Sequence, residues 1–96
     1  MMATYIILSR LAPGAVSEPK DFKKLGEAVS KRIRRECPKV TWKQSYAVTG
    51  RFDFVDIVES NDLKQVERAA MIIRAEGQSE TETMVAVPWP QFLRGL

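Results

Sequence analysis

Ser45-Tyr-Ala-Val-Thr-Gly-Arg-Phe-Asp-Phe-Val-Asp-Ile-Val-Glu59 holds two apolar-rich runs about one glycine. This pattern predicts the central hairpin of a small sheet. A tight reversal needs a residue that accepts positive φ at low steric cost, and Gly50 is that residue. A three-residue loop, Thr49 to Arg51, sets Val48 against Phe52, Tyr46 against Phe54, Gln44 against Asp56 and Trp42 against Val58. That side is aromatic with a polar pair at its centre, while Ser45, Ala47, Val55 and Ile57 occupy the other. Small and β-branched groups suit packing under helices, so the aromatic side is expected to face away from them.

The flanking segments complete the pattern. Ala3 to Arg10 is nearly continuous in apolar residues, as in a central strand covered on both faces. A helix is expected to open at Ser17 or Glu18, before Pro19 and with Asp21 in its first turn. Phe22, Leu25, Val29 and Ile33 then form its apolar stripe, and Pro38 ends it. Val40 to Thr49 and Arg51 to Glu59 are the second and third strands. Ser60-Asn-Asp opens a second helix with the stripe Leu63, Val66, Ala70 and Ile73, and Gly77 marks its stop. Ser79 to Val87 is the fourth strand. Pro88 and Pro90 forbid further pairing and leave Trp89, Phe92 and Leu93 on a short tail.

The order strand, helix, strand, strand, helix, strand is the ferredoxin-like βαββαβ arrangement, an α+β fold with a four-stranded antiparallel sheet and both helices on one face. The bare face then carries an exposed apolar patch too large for a monomer, which predicts a homodimer paired as a dimeric α/β barrel. The 96 residues, 45% of them hydrophobic, suffice for one domain spanning residues 1–96. A net charge of +3, from 15 basic and 12 acidic side chains, requires no anionic polymer as partner. No stretch has transmembrane length and none resembles a signal peptide. Cys37 is the only cysteine, so no internal disulfide forms, and a cytoplasmic location without membrane association is expected.

Histidine is absent, which removes the usual general base and the commonest metal ligand. No phosphate loop, paired-cysteine motif or serine elbow is present, so neither metal nor cofactor is expected. Asp53 and Asp56 remain as acid/base candidates. Asp53 sits where it can accept backbone N–H groups at the start of the first helix or pair with Arg10. Asp56 lies among the aromatics, where an unpartnered carboxylate is costly, so it lines a polar cavity, meets a partner or is wet by solvent at an edge.

Ala3-Thr-Tyr-Ile-Ile-Leu-Ser9, Thr49-Gly-Arg-Phe-Asp-Phe-Val55 and Thr81-Glu-Thr-Met84 together resemble the GYD domain family, whose glycine, tyrosine and aspartate match Gly50, Phe52 and Asp53, with phenylalanine in the tyrosine's place. The resemblance implies a ferredoxin-like domain related to the dimeric α/β barrels. Members of that group pair through open sheet faces and include small-molecule oxygenases, isomerases and ligand-sensing domains. The leading expectation is a homodimeric ligand-binding or regulatory module with a sheet-face cavity lined by Trp42, Gln44, Tyr46, Phe52, Phe54 and Asp56. The alternative is a cofactor-independent enzyme, of monooxygenase or isomerase type, with Asp56 as base and Tyr46 as hydrogen-bond donor. A third reading, an RNA-binding module, shares the element order, but Asp56 on the reading face repels phosphate and the basic residues lie on the first helix instead. No nucleic-acid partner is expected.

Overall fold

A computed structural model describes residues 2–96. Its elements are β1 (Ala3–Leu11), α1 (Asp21–Glu36), β2 (Thr41–Ala47), β3 (Phe54–Ser60), α2 (Leu63–Glu76), β4 (Ser79–Ala86) and α3 (Trp89–Arg94). The strands form one antiparallel sheet in the order β2-β3-β1-β4, so the two most apolar strands are the central pair. This is the ferredoxin-like topology expected from the sequence.

The core lies between the sheet and the helices. Tyr5 and Ile7 of β1 and Val58 of β3 point to one side and meet Ile33 of α1 and Val66, Ala69, Ile72 and Ile73 of α2. Alternation therefore assigns Tyr5, Ile7 and Ser9, with their cross-strand neighbours Val58, Asp56 and Phe54, to the helix-bearing face. Thr4, Ile6 and Leu8, paired with Glu59, Ile57 and Val55, form the open face.

This corrects the expected assignment of faces. Phe54 and Asp56 lie under the helices, and the open face is aliphatic at its centre. Two features of the hairpin account for the difference. Val48 N–H donates to the Asp53 carbonyl at 2.9 Å, so the loop holds the four residues 49–52 instead of three, with Gly50 at φ +116°. The pairing shifts by one residue between Trp42 and Gln44, which leaves Lys43 as a β-bulge. Trp42 still faces Val58, as expected, but Gln44 faces Ile57, Ser45 faces Asp56 and Tyr46 faces Val55. The bulge thus sends Trp42, Ser45 and Ala47 to the helix-bearing face and Gln44 and Tyr46 to the open one.

The helices differ in how they sit. α2 is capped by Asp62, whose carboxylate accepts the Lys64 N–H at 3.0 Å, and it touches β1, β3 and β4. α1 begins later than the sequence suggested: Lys20 is the N-cap without a side-chain bond. It leans on α2, and Arg32 bridges to Glu76 at 3.3 Å. Its contact with the β2–β3 half of the sheet runs through large side chains, with the rings of Phe22 and Phe54 4.9 Å apart and Trp42 packed against the core. Phe54 reaches Phe22 of the helix, while the small Ser45 and Ala47 on the same side leave a gap beneath it. The segment after β4 forms the short helix α3, compatible with proline in its first turn. The rings of Trp89 and Phe92 stack at 5.5 Å on its exposed surface.

Candidate functional site

The gap beneath α1 is a cleft of about 580 Å³ between that helix and the β2–β3 half of the sheet, within the range of small-molecule sites. Leu25, Val29 and Ile33 of α1, Val40, Phe54 of β3 and Ile73 of α2 supply apolar walls. The polar lining comes from Ser9, Ser30, Arg34, Ser45, Asp56 and Ser79.

Asp56 is the centre of this lining. Its Oδ1 accepts from Ser45 Oγ at 2.6 Å and from Trp42 Nε1 at 3.1 Å, while the same indole N–H also reaches Ser45 Oγ at 2.9 Å. The bulge at Lys43 makes the cluster possible, because it turns Ser45 to the side of Trp42 and Asp56. Among the described residues no cation pairs with Asp56. Ser9 is 2% exposed, and its Oγ has no hydrogen-bond partner, the one such buried side-chain atom among the described residues. An unsatisfied buried hydroxyl costs about 1–3 kcal/mol. Ser9 faces Phe54 while Asp56 faces Ile7, so the two polar groups are diagonal neighbours on one face, roughly 7 Å apart.

Of the six residues expected to line a sheet-face cavity, Trp42, Phe54 and Asp56 converge on this cleft from the helix-bearing side. Tyr46 also belongs to the lining, but its pairing with Val55 turns its half-exposed ring toward the open face. Gln44 lies opposite Ile57, away from the cleft. Phe52 stays in the hairpin loop, with the Arg51 guanidinium 6.0 Å from its ring centre. Asp56 and Tyr46 therefore do not work toward one point, as a base and donor would have to.

Asp53 is a clip. Its N–H donates to the Ser9 carbonyl at 2.8 Å and its Oδ2 accepts the Leu11 N–H at 2.8 Å, extending the β1–β3 ladder past the end of β3. It neither caps α1 nor pairs with Arg10, whose guanidinium goes to Glu80 at 2.6 Å. That bond and the glutamate's charge raise the arginine pKa further. Gly50 keeps its expected turn role.

Sequence reasoning missed Ser9, Ser45, Gly26 and Cys37 as lining residues. Ser9 carried a signal, since it continues the alternation of Tyr5 and Ile7; Ser45 was hidden by the bulge. Cys37 is 1% exposed, and burial pushes its thiol pKa up. No group of three or more His, Cys, Asp or Glu among the described residues is placed to hold a metal ion, and none of the described helices is long and apolar enough to cross a membrane.

Comparison with known proteins matches this architecture. The leucine response regulatory protein of Mycobacterium tuberculosis superposes with a TM-score of 0.61 at 15% identity, over 90% of this chain and 51% of that one. The chain spans about half the length of that regulator, and the likeness is one of fold. A crystal structure from Thermus thermophilus superposes with a TM-score of 0.56 at 28% identity, over 90% of this chain and 94% of that chain. The glutamine synthetase and cystathionine beta-lyase binding protein of Thermus thermophilus is 35% identical over 88 residues, 91% of this chain and 90% of its own length. The GYD domain profile matches residues 5–95. On that match, which runs from within β1 past the end of α3, the chain belongs to the GYD domain family.

Proposed function

We propose that this protein is a homodimeric regulatory or binding module of the cytoplasm, folded as one domain, which pairs through its open sheet face and holds a small molecule in the cleft beneath α1. The observation that carries the reading is the pattern on the two central strands. Ile6, Leu8, Val55 and Ile57 stand together on a face that no helix covers. Contiguous aliphatic surface of this kind is characteristic of a face that another chain covers. The 35% identical relative is named for binding two enzymes, which supports partner proteins, and metabolic enzymes such as glutamine synthetase among them, as the targets of this module. The enzymatic alternative loses support because Asp56 and Tyr46 face different ways.

Light scattering at low micromolar concentration tests the pairing. A dimer has twice the 10.9 kDa chain mass, and Ile57→Lys shifts it toward monomer while preserving helix content. A wild-type monomer would remove the reading. Immobilised protein challenged with purified glutamine synthetase tests the partner class, and absence of retention at micromolar concentration counts against it.

A further inference from the structure

We propose that the cleft beneath α1 is a site for a primary amine with an apolar body, its ammonium group held by Asp56. The inference rests on the reading of the cleft as a ligand site and names what it takes.

Two independent features point to it. First, the Asp56 carboxylate is half-buried in the lining and has no cationic partner among the described residues. Trp42 and Ser45 both donate to Oδ1, and among the described residues no side-chain donor is seen on Oδ2. A carboxylate fixed by two donors on one oxygen presents the other to the cleft as a preoriented acceptor for a charged donor. An ammonium with three N–H groups is such a donor. Second, Gly26 lies within α1 and lines the cleft, yet a Cβ built there meets nothing within 4 Å. Glycine is unfavourable inside a helix, and no close approach or positive φ requires it here. Its effect is to keep the space open.

The remaining lining sets the rest of the molecule. Leu25, Val29, Ile33, Val40 and Phe54 favour a hydrocarbon or aromatic body. Arg34 is the one cation in the lining; it is exposed and its Nη1 already donates to Ser30 Oγ at 2.8 Å. It is thus the competing attraction, for an anion.

The test compares phenethylamine, 2-phenylethanol and phenylacetate by NMR titration of the Trp42 indole Nε1–H resonance in the wild-type chain. Phenethylamine is expected to move that resonance to saturation, with 2-phenylethanol at least about tenfold weaker and phenylacetate weaker still. Asp56→Asn keeps an acceptor for Trp42 and Ser45 but loses the charge, and it should bring the amine down to the level of the alcohol. Gly26→Leu, which fills open space and favours the helix, should block binding. Tighter binding of phenylacetate, or amine binding unchanged in Asp56→Asn, overturns the amine assignment and leaves the cleft reading standing. Undiminished binding to Gly26→Leu, or no binding of any probe by the wild type at millimolar concentration, overturns the cleft as a ligand site and this inference with it.

Discussion

Ser45 Oγ donates a 2.6 Å hydrogen bond to Asp56 Oδ1 across the β2–β3 pair, and the two residues face each other directly. The bond satisfies one oxygen of a carboxylate beside an apolar cleft without any basic side chain. Ser45→Ala leaves Oδ1 with the Trp42 indole alone. Stability should fall by about 0.5–1.5 kcal/mol, read from the urea midpoint at constant slope. An unchanged midpoint means that water replaces the hydroxyl at no cost.

Asp53 should matter to folding alone. Removing its carboxylate in Asp53→Ala strands the Leu11 N–H at the end of β1 and lowers stability by about 1–2 kcal/mol. Asp53→Asn, which keeps an amide oxygen, should lose less than half of that. A variant with wild-type unfolding but lost partner binding would make Asp53 a contact residue.

The end of α2 offers a paired prediction. Gly77 closes the helix at φ −85°, whereas the positive φ of +49° falls on Gln78. The glycine is there for closeness: a Cβ would meet the Ile73 carbonyl oxygen and would come within 3.4 Å of Val29 Cγ2 on α1. Gly77→Ala should destabilise by about 1–3 kcal/mol, as overpacking does. Gln78→Gly should stabilise by about 1 kcal/mol, because it relieves a side chain in left-handed backbone. Thermal unfolding of the two variants should move in opposite directions.

Cys37 gives a pH dependence with a defined sign. Burial raises its thiol pKa in the folded chain, so the native state keeps a proton that the unfolded state loses above about pH 8.5. The unfolded state then binds fewer protons, and stability declines as pH rises through the ordinary thiol range, levelling off above the raised native value. Cys37→Ala should flatten that part of the curve. Equal slopes in the two proteins between about pH 7 and about pH 10 would show that the thiol titrates normally. Iodoacetamide should react slowly with the native chain for the same reason.

The order of the elements was legible because each has a strong period: Phe22, Leu25, Val29 and Ile33 on α1, and Val66, Ala70 and Ile73 on α2. The faces of the sheet were not. Trp42, Gln44 and Tyr46 alternate in sequence as if they shared one side, and Lys43 has no feature that marks it as the extra residue of a bulge. Phe54 looked like an open-face aromatic because its partner, Phe22, lies far back in the chain on a helix whose distance from the sheet depends on α2. Pro88 and Pro90 correctly excluded a strand, but proline is as much at home in the first turn of a helix, and α3 takes that option. The cleft itself needed three dimensions, since Ser9, Gly26 and Asp56 come from three separate segments.

The extra residue in β2 has a consequence for chain length. Removing Lys43 would join Trp42 to Gln44 in a regular ladder, with each keeping the side it has now, so a one-residue deletion there straightens the strand and inverts nothing. A one-residue deletion inside β1, β3 or β4 turns the rest of that strand over. Position 43 is thus the place in the sheet where an indel is silent for facing, and aligned relatives of this chain can differ by a gap there while presenting the same side chains to the same side.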